Sequence, residues 1–292
     1  MSWKKLHLVA LIAVAFLACS VDKAHAEPAR FSVTVEGQGS DVILIPGLGT
    51  SRDAYAQEAA ALRGAHRLHL IQLAGFAGEA PGPNAEGEIL APFVEELDAY
   101  IKANHLDHPA VIGHSMGGLA GLMLARRHPD DVGRLMVVDA LPFYSAMFDP
   151  NATAASVAPQ AQAVRGQLIA ASDDQFAAMQ QGGVARLVKT AELRQRVVDW
   201  TLRSDRRVLA EAMYEALTTD MRGELAHIST PITVLYAYDP VMGPQAMLDG
   251  LYQSAYAAAP HVQLTRVDGS FHFIMLDQPG AFDRAVQDFL SH

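Results

Sequence analysis

Ser115 stands in Gly113-His114-Ser115-Met116-Gly117, a G-x-S-x-G pattern with an apolar run over residues 110–112 before it and a small-residue, helix-forming run over 118–127 behind it. A serine hydroxyl is a poor nucleophile until a base takes its proton, and the base works best when a third group orients it. Strand, G-x-S-x-G and helix in succession suit a sharp strand-to-helix turn: the glycines let the chain bend and the hydroxyl stands above the sheet. Two later residues have the types that complete such a set. Asp239 in Tyr238-Asp239-Pro240 and His272 in Asp268-Gly269-Ser270-Phe271-His272 each follow an apolar, strand-like run. The order Ser, acid, His, each on a loop after a core strand, suits an acyl-transfer triad. Asp139, at the end of another such run, is the rival for the acid, with a structural role at the start of the following segment as its other reading. His114 is read as packing or hydrogen-bonding support. The other histidines, among them His66, His69, His128 and His261, show no H-x-x-x-H or Cys/His ligand spacing, so no metal site is expected. The glycine-containing turns at 37–39 and 75–78 lack the G-x-G-x-x-G of a dinucleotide site, and no cofactor is expected.

These residues need a scaffold that brings strand ends together. Residues 30–36 alternate Phe31, Val33 and Val35 with Ser32 and Thr34, the period of a half-exposed strand near an edge. Val42-Ile43-Leu44-Ile45 is continuously apolar, as in a strand covered on both faces. A helix is expected over 53–63, a strand over 67–73, and a helix over 88–104, where Ile89, Leu90, Phe93, Val94, Leu97 and Ile101 recur at helical spacing. After the strand and helix around Ser115 comes a buried strand over 134–139. Strands resume at 232–237 and 262–267, with helices over 244–258 and 280–290. The alternation predicts an α/β fold with a mostly parallel central sheet flanked by helices. It is interrupted over 141–226, where helical patches at 161–171, 174–181, 193–202 and 208–218 read as a helical cap insertion. The core is then 27–140 together with 227–292. Phe143 and Tyr144, nearest the strand end, are the candidates for lining a substrate pocket.

The chain has 292 residues, half of them hydrophobic, enough for one large core. Its formal net charge of −10 argues against nucleic acid or an anionic membrane surface as partner. Lys4 and Lys5, the apolar run over 6–19 and Ala24-His25-Ala26 have the layout of a cleavable export signal over residues 1–26. The apolar run is too short to be read first as a spanning helix, so no stable membrane insertion is expected after cleavage. The product would be periplasmic or secreted. Cleavage would also remove Cys19, the only cysteine, leaving no disulfide. A lipid-anchored Cys19 is the alternative.

In its motifs the chain resembles the α/β-hydrolase superfamily, in the esterase-like branch with a helical cap. The resemblance spans roughly residues 30 to 290 and rests on the Ser115 turn, the Gly47-Leu48-Gly49 loop after the 42–45 strand, the Asp239-Pro240 stretch, and Gly269-x-x-His272 followed by Gln278-Pro279. It implies a serine hydrolase of a carboxylic ester or related acyl bond, with a small-molecule acyl substrate. Ser115 would be the nucleophile, His272 the base and Asp239 the orienting acid, with the backbone amides of Leu48 and Met116 as oxyanion donors. C–C bond hydrolases, lactonases and amidases share such a triad and stay open, as does a non-catalytic binder on the same fold. Pro46 stands where relatives often carry His, the span from Ala237 to Asp239 is shorter than is common, and only one strand fits before Val42.

Overall fold

The computed structural model describes residues 29–291; the export signal expected over 1–26 lies outside them. Strands β1 (Phe31–Gly37), β2 (Ser40–Ile45), β3 (His66–Leu73), β4 (Ala110–His114), β5 (Arg134–Val138), β6 (Ile232–Tyr238) and β7 (Val262–Asp268) form one sheet in the order β1-β3-β2-β4-β5-β6-β7. The alternating strand β1 takes an edge and runs antiparallel to β3, while every other pairing is parallel. The mostly parallel α/β sheet expected from the alternation is what forms.

The continuously apolar strands feed two core layers because successive side chains point to opposite faces. Ile43, Ile45, Val111 and Val137 pack toward α2 (Leu90–Ala103) and α3 (Met116–Arg127). Val42, Leu44, Ile112, Met136 and Val138 face the other way, with Leu62 of α1 (Ala56–Leu62) and Phe282, Val286 and Phe289 of α10 (Pro279–Ser291). A one-residue slip in any of these strands would still bury apolar side chains. Register is therefore set by the turns at the strand ends, where the chemistry-bearing residues sit.

Between β5 and β6 the chain forms α4 (Ala154–Ala170), α5 (Asp173–Val184), α6 (Ala191–Leu202) and α7 (Arg206–Thr218). Helix α4 begins seven residues before the patch expected from 161. Thr153 and Ser156 form a reciprocal capping box there, and Pro159 lies within the helix without ending it. The insertion is fastened to the sheet at several points. The Glu215 carboxylate of α7 accepts the Ile89 and Leu90 amides, both at 2.7 Å, at the start of α2. The Asp205 amide donates to the Gly75 carbonyl at 2.7 Å. At Gly75, with φ +90°, a Cβ would lie 2.7 Å from Val208 of α7, so glycine allows the helix to approach. Helix α8 (Gln245–Ala255) links β6 to β7, and the short α9 (Ile274–Asp277) precedes α10.

Candidate active site

Ser115 leaves β4 in a conformation that only the surrounding structure could impose. Its φ is 54° and ψ −121°, a combination that costs a non-glycine residue about 1–3 kcal/mol. Its amide continues the ladder by donating to the Val138 carbonyl of β5 at 2.9 Å. The flanking glycines are steric necessities: a Cβ at Gly113 would lie 2.2 Å from the Gly117 carbonyl oxygen, and one at Gly117 2.3 Å from that of Ile45. A Cβ at Gly47 would come within 3.1 Å of the Ser115 Cβ. The loop after β2 therefore passes directly beside the nucleophile candidate and carries the half-buried Leu48 with it. Met116 is the first residue of α3, so its amide has no acceptor within the helix. The two expected oxyanion donors thus belong to segments packed against each other at the Ser115 turn.

The His272 side chain donates from Nδ1 to Asp139 Oδ2 at 2.7 Å. This corrects the expectation for Asp239. Asp139 directly follows β5, with φ +48°, and its other oxygen accepts from the Ala237 amide at 2.9 Å and the Tyr252 hydroxyl at 3.1 Å. Burial, helped by the charge of Asp139, holds the Tyr252 phenol well above its ordinary pKa, so it stays a donor. Asp239 directly follows β6 and is turned to other partners. Lys189 Nζ donates to it at 2.7 Å, and it caps the short turn Pro240–Met242 by accepting the Val241 amide at 3.1 Å. The lysine first, and that amide second, hold its carboxyl below the usual range. Both acids satisfy the order Ser, acid, His, which is why sequence order alone did not separate them. The Asp-Pro dipeptide, a turn-capping pair, was the available sign that Asp239 had another task.

His114 is buried, and burial pushes its pKa well below the ordinary value, so it is neutral. Its Nε2–H donates to the His272 carbonyl at 3.0 Å and the two rings lie 4.6 Å apart. Of the two expected pocket residues, Phe143 is completely buried, packed with Ala146 and Ala152 under the Arg222 guanidinium 4.7 Å from its ring. It is a core residue of the insertion, not a lining one. Tyr144 is exposed, its ring edge-on to that of Phe148 with centroids 5.6 Å apart, and its phenol pKa is raised by burial first and by the charge of Asp139 second. Sequence reading did not single out Leu209 and Thr201, whose side chains overhang Gly49 in the loop after β2: a Cβ there would lie 2.8 Å from Leu209 and 3.4 Å from Thr201. A cleft of about 610 Å³ lies at the opposite end of the sheet, lined by residues such as Gly133, Pro231 and His261 where β5, β6 and β7 begin. It is remote from Ser115 and His272.

Among the described residues, Asp98, His128 and Asp131 are spaced as metal ligands could be. The Lys102 ammonium lies 2.8 Å from Asp98 and 3.3 Å from Asp131 and supplies the positive charge there.

Comparison with known proteins agrees with this fold. A family model described as the Alpha/beta hydrolase family matches residues 42–285. A pimeloyl-[acyl-carrier protein] methyl ester esterase of Vibrio cholerae is 29% identical over 265 residues, covering 87% of this chain and 96% of the relative. One from Yersinia enterocolitica is 27% identical, covering 87% and 94%. Among solved structures, an enol-lactonase from Burkholderia xenovorans superposes with a TM-score of 0.72 at 18% identity, covering 90% of this chain and 96% of that one. A thermophilic esterase from Thermogutta terrifontis gives 0.72 at 18%, covering 89% and 93%. At such identities the structural matches speak for the fold.

Proposed function

Because the chain belongs to the alpha/beta hydrolase family, we propose that it is an exported serine hydrolase that cleaves carboxylic esters through Ser115, His272 and Asp139. The observation that carries this reading is the 2.7 Å bond from His272 Nδ1 to Asp139 Oδ2 beside the strained Ser115 turn. A proton held on Nδ1 leaves the Nε2 lone pair free to act as base. Ser115 Oγ attacks the ester carbonyl carbon as His272 Nε2 takes its proton. The carbonyl electrons move onto oxygen, and the Leu48 and Met116 amides donate hydrogen bonds to that oxyanion; each such donor is worth about 2.7–4 kcal/mol in the transition state. The tetrahedral adduct collapses, the C–O bond to the alcohol breaks, and His272 gives its proton to the leaving oxygen. Water then attacks the acyl-serine, His272 takes one of its protons, and collapse frees the carboxylic acid and returns the proton to Ser115. Asp139 stabilises the imidazolium formed in each half.

The ester assignment draws on the named activity of the curated relatives, which are methyl ester esterases. Export draws on the layout of residues 1–26. One experiment tests both. Protein expressed with its native N-terminus is labelled with a fluorophosphonate, and its intact mass and adduct site are determined. The adduct is expected on Ser115 of a chain beginning at Glu27, and Ser115→Ala is expected not to label. A folded wild-type protein that stays unlabelled overturns the hydrolase reading, and a labelled chain that retains residues 1–26 overturns signal cleavage. A panel of p-nitrophenyl esters, amides and lactones then separates ester cleavage from reactions that share the triad.

A further inference from the structure

The loop that carries His272 is held from the insertion as well as from the sheet. Gly269 and Ser270 donate their amides to the Tyr238 carbonyl at the end of β6, at 2.8 and 3.3 Å. The two amides that flank His272 go elsewhere. Phe273 N–H donates to the Leu187 carbonyl, in the turn between α5 and α6, at 3.1 Å. Phe271 N–H donates to the Asp277 carboxylate at 3.0 Å, and that carboxylate also accepts the amides of Lys189 at 3.0 Å and Thr190 at 2.8 Å in the same turn. One acidic side chain thus ties the residue before the histidine to the insertion, and one carbonyl ties the residue after it.

The turn is fixed in its own right. Val188 is fully buried in the same core layer as Phe273 and Ile274. Arg194 donates to the carbonyls of Val188 and Lys189, at 2.8 and 3.1 Å. The Lys189 side chain reaches across to Asp239 at 2.7 Å, so the end of β6 is clamped as well. The carboxylate expected to orient the base is instead one end of the clamp.

We propose that the turn over residues 187–190 is a positioning element for the general base. Asp277 and the Lys189–Asp239 pair lock it to the His272 loop, so that the imidazole keeps its bond to Asp139 only while the insertion is seated. The residues act through His272 and are positioning residues. The proposal rests on the serine-hydrolase reading above. It predicts that displacing the insertion and disarming the base are one event: when residues 187–190 lift, the Phe273 amide loses its acceptor, the Asp277 carboxylate that holds the Phe271 amide loses the Lys189 and Thr190 amides that fix it, and the Nδ1–H···Oδ2 bond loses its support.

The test uses the full-length enzyme and Lys189→Ala, Lys189→Arg, Asp239→Asn and Asp277→Asn, with p-nitrophenyl acetate as probe. Lys189→Ala and Asp277→Asn are expected to lower kcat about tenfold with KM within about twofold, as for a slightly misplaced base. The second-order rate of fluorophosphonate labelling is expected to fall by a similar factor, because the probe also needs the base to take the serine proton. Lys189→Arg is expected to keep most of the activity. Combining Lys189→Ala with Asp239→Asn is expected to cost no more than either alone. Fluorophosphonate titration counts competent sites, so a partly unfolded variant shows fewer sites that label at the wild-type rate, and that pattern overturns the proposal. Unchanged kcat and an unchanged labelling rate in fully labelled variants overturn it too. A wild type that does not label overturns the hydrolase reading instead.

Discussion

At the scale of single residues, two aspartates follow adjacent parallel strands and do different work. Asp139 accepts from His272, Ala237 and Tyr252, and Asp239 accepts from Lys189 and Val241. Asp139→Asn removes the charge that stabilises an imidazolium and can present the wrong group to Nδ1. Its kcat is expected to fall about 10⁴-fold, the scale found when a triad acid is neutralised. Asp239→Asn leaves Asp139 in place and is expected to cost about tenfold, as for a positional shift. Steady-state kinetics on the two variants, side by side, decides which acid serves His272; the larger loss from Asp239→Asn would reverse the assignment. The strained turn at Ser115 and the loop carrying His272 were legible in the sequence because each needs a local context that sequence records: a glycine on either side of a turn, or a loop after a strand. The carboxylate that meets His272 was not. Its choice depends on a lysine 50 residues upstream of Asp239 and on a tyrosine more than 100 residues beyond Asp139, and such distant partners leave no spacing to read.

At the scale of elements, the turn from β4 to α3 is where sequence and packing agree most closely. Gly113, Gly117 and Gly121 look alike in the sequence, yet their surroundings differ. A Cβ at Gly113 would lie 2.2, 2.5 and 2.7 Å from backbone atoms of Gly117 and Gly118, and backbone cannot step aside without opening the turn. A Cβ at Gly121 would meet the Leu135 Cδ1 methyl at 2.6 Å, the end of a side chain that can rotate. Alanine at Gly113 is therefore expected to cost about 3 kcal/mol or more, at the top of the overpacking range. Alanine at Gly121 is expected to stay within about 1 kcal/mol of wild type, because helix propensity offsets the shift of Leu135. Urea denaturation of both variants measures this; equal losses would mean that the turn relaxes more readily than its contacts indicate. The strands and core helices were readable for the same reason, since period-two and helical apolar patterns survive in the sequence. The insertion was less so. Helices α4 and α5 carry weak amphipathic signals, and α4 starts where a capping box places it, not where its apolar residues begin.

At the scale of the whole molecule, Glu58 links the fold to solution pH. Glu58 of α1 is 1% exposed, and among the described residues neither of its carboxyl oxygens has a hydrogen-bond partner. Burial first, and the charge of Asp283 in α10 second, push its pKa up to about 8 against the effect of its own backbone amide. In the unfolded chain the same group ionises near 4.5. Between these values the unfolded state releases a proton that the folded state keeps, so stability falls as pH rises. The contribution of neutral Glu58 is complete below about 4.5, declines through the interval, and is lost above about 8. Glu58→Gln keeps the shape and removes the ionisation. At pH 5, where Glu58 is largely neutral in the fold, the variant and wild type are expected to melt within a few degrees of each other. By pH 8.5 the variant is expected to be the more stable, with a gap on the order of 4 kcal/mol as an upper bound at about 1.36 kcal/mol per pKa unit. Thermal melts of both proteins across pH 5 to 9 measure it. The outcome that counts is the widening of the gap: a constant offset would mean that the carboxyl finds a partner or water once the chain is in solution. Hydrolysis generates a carboxylic acid and tends to lower the surrounding pH, the direction in which Glu58 favours the folded state.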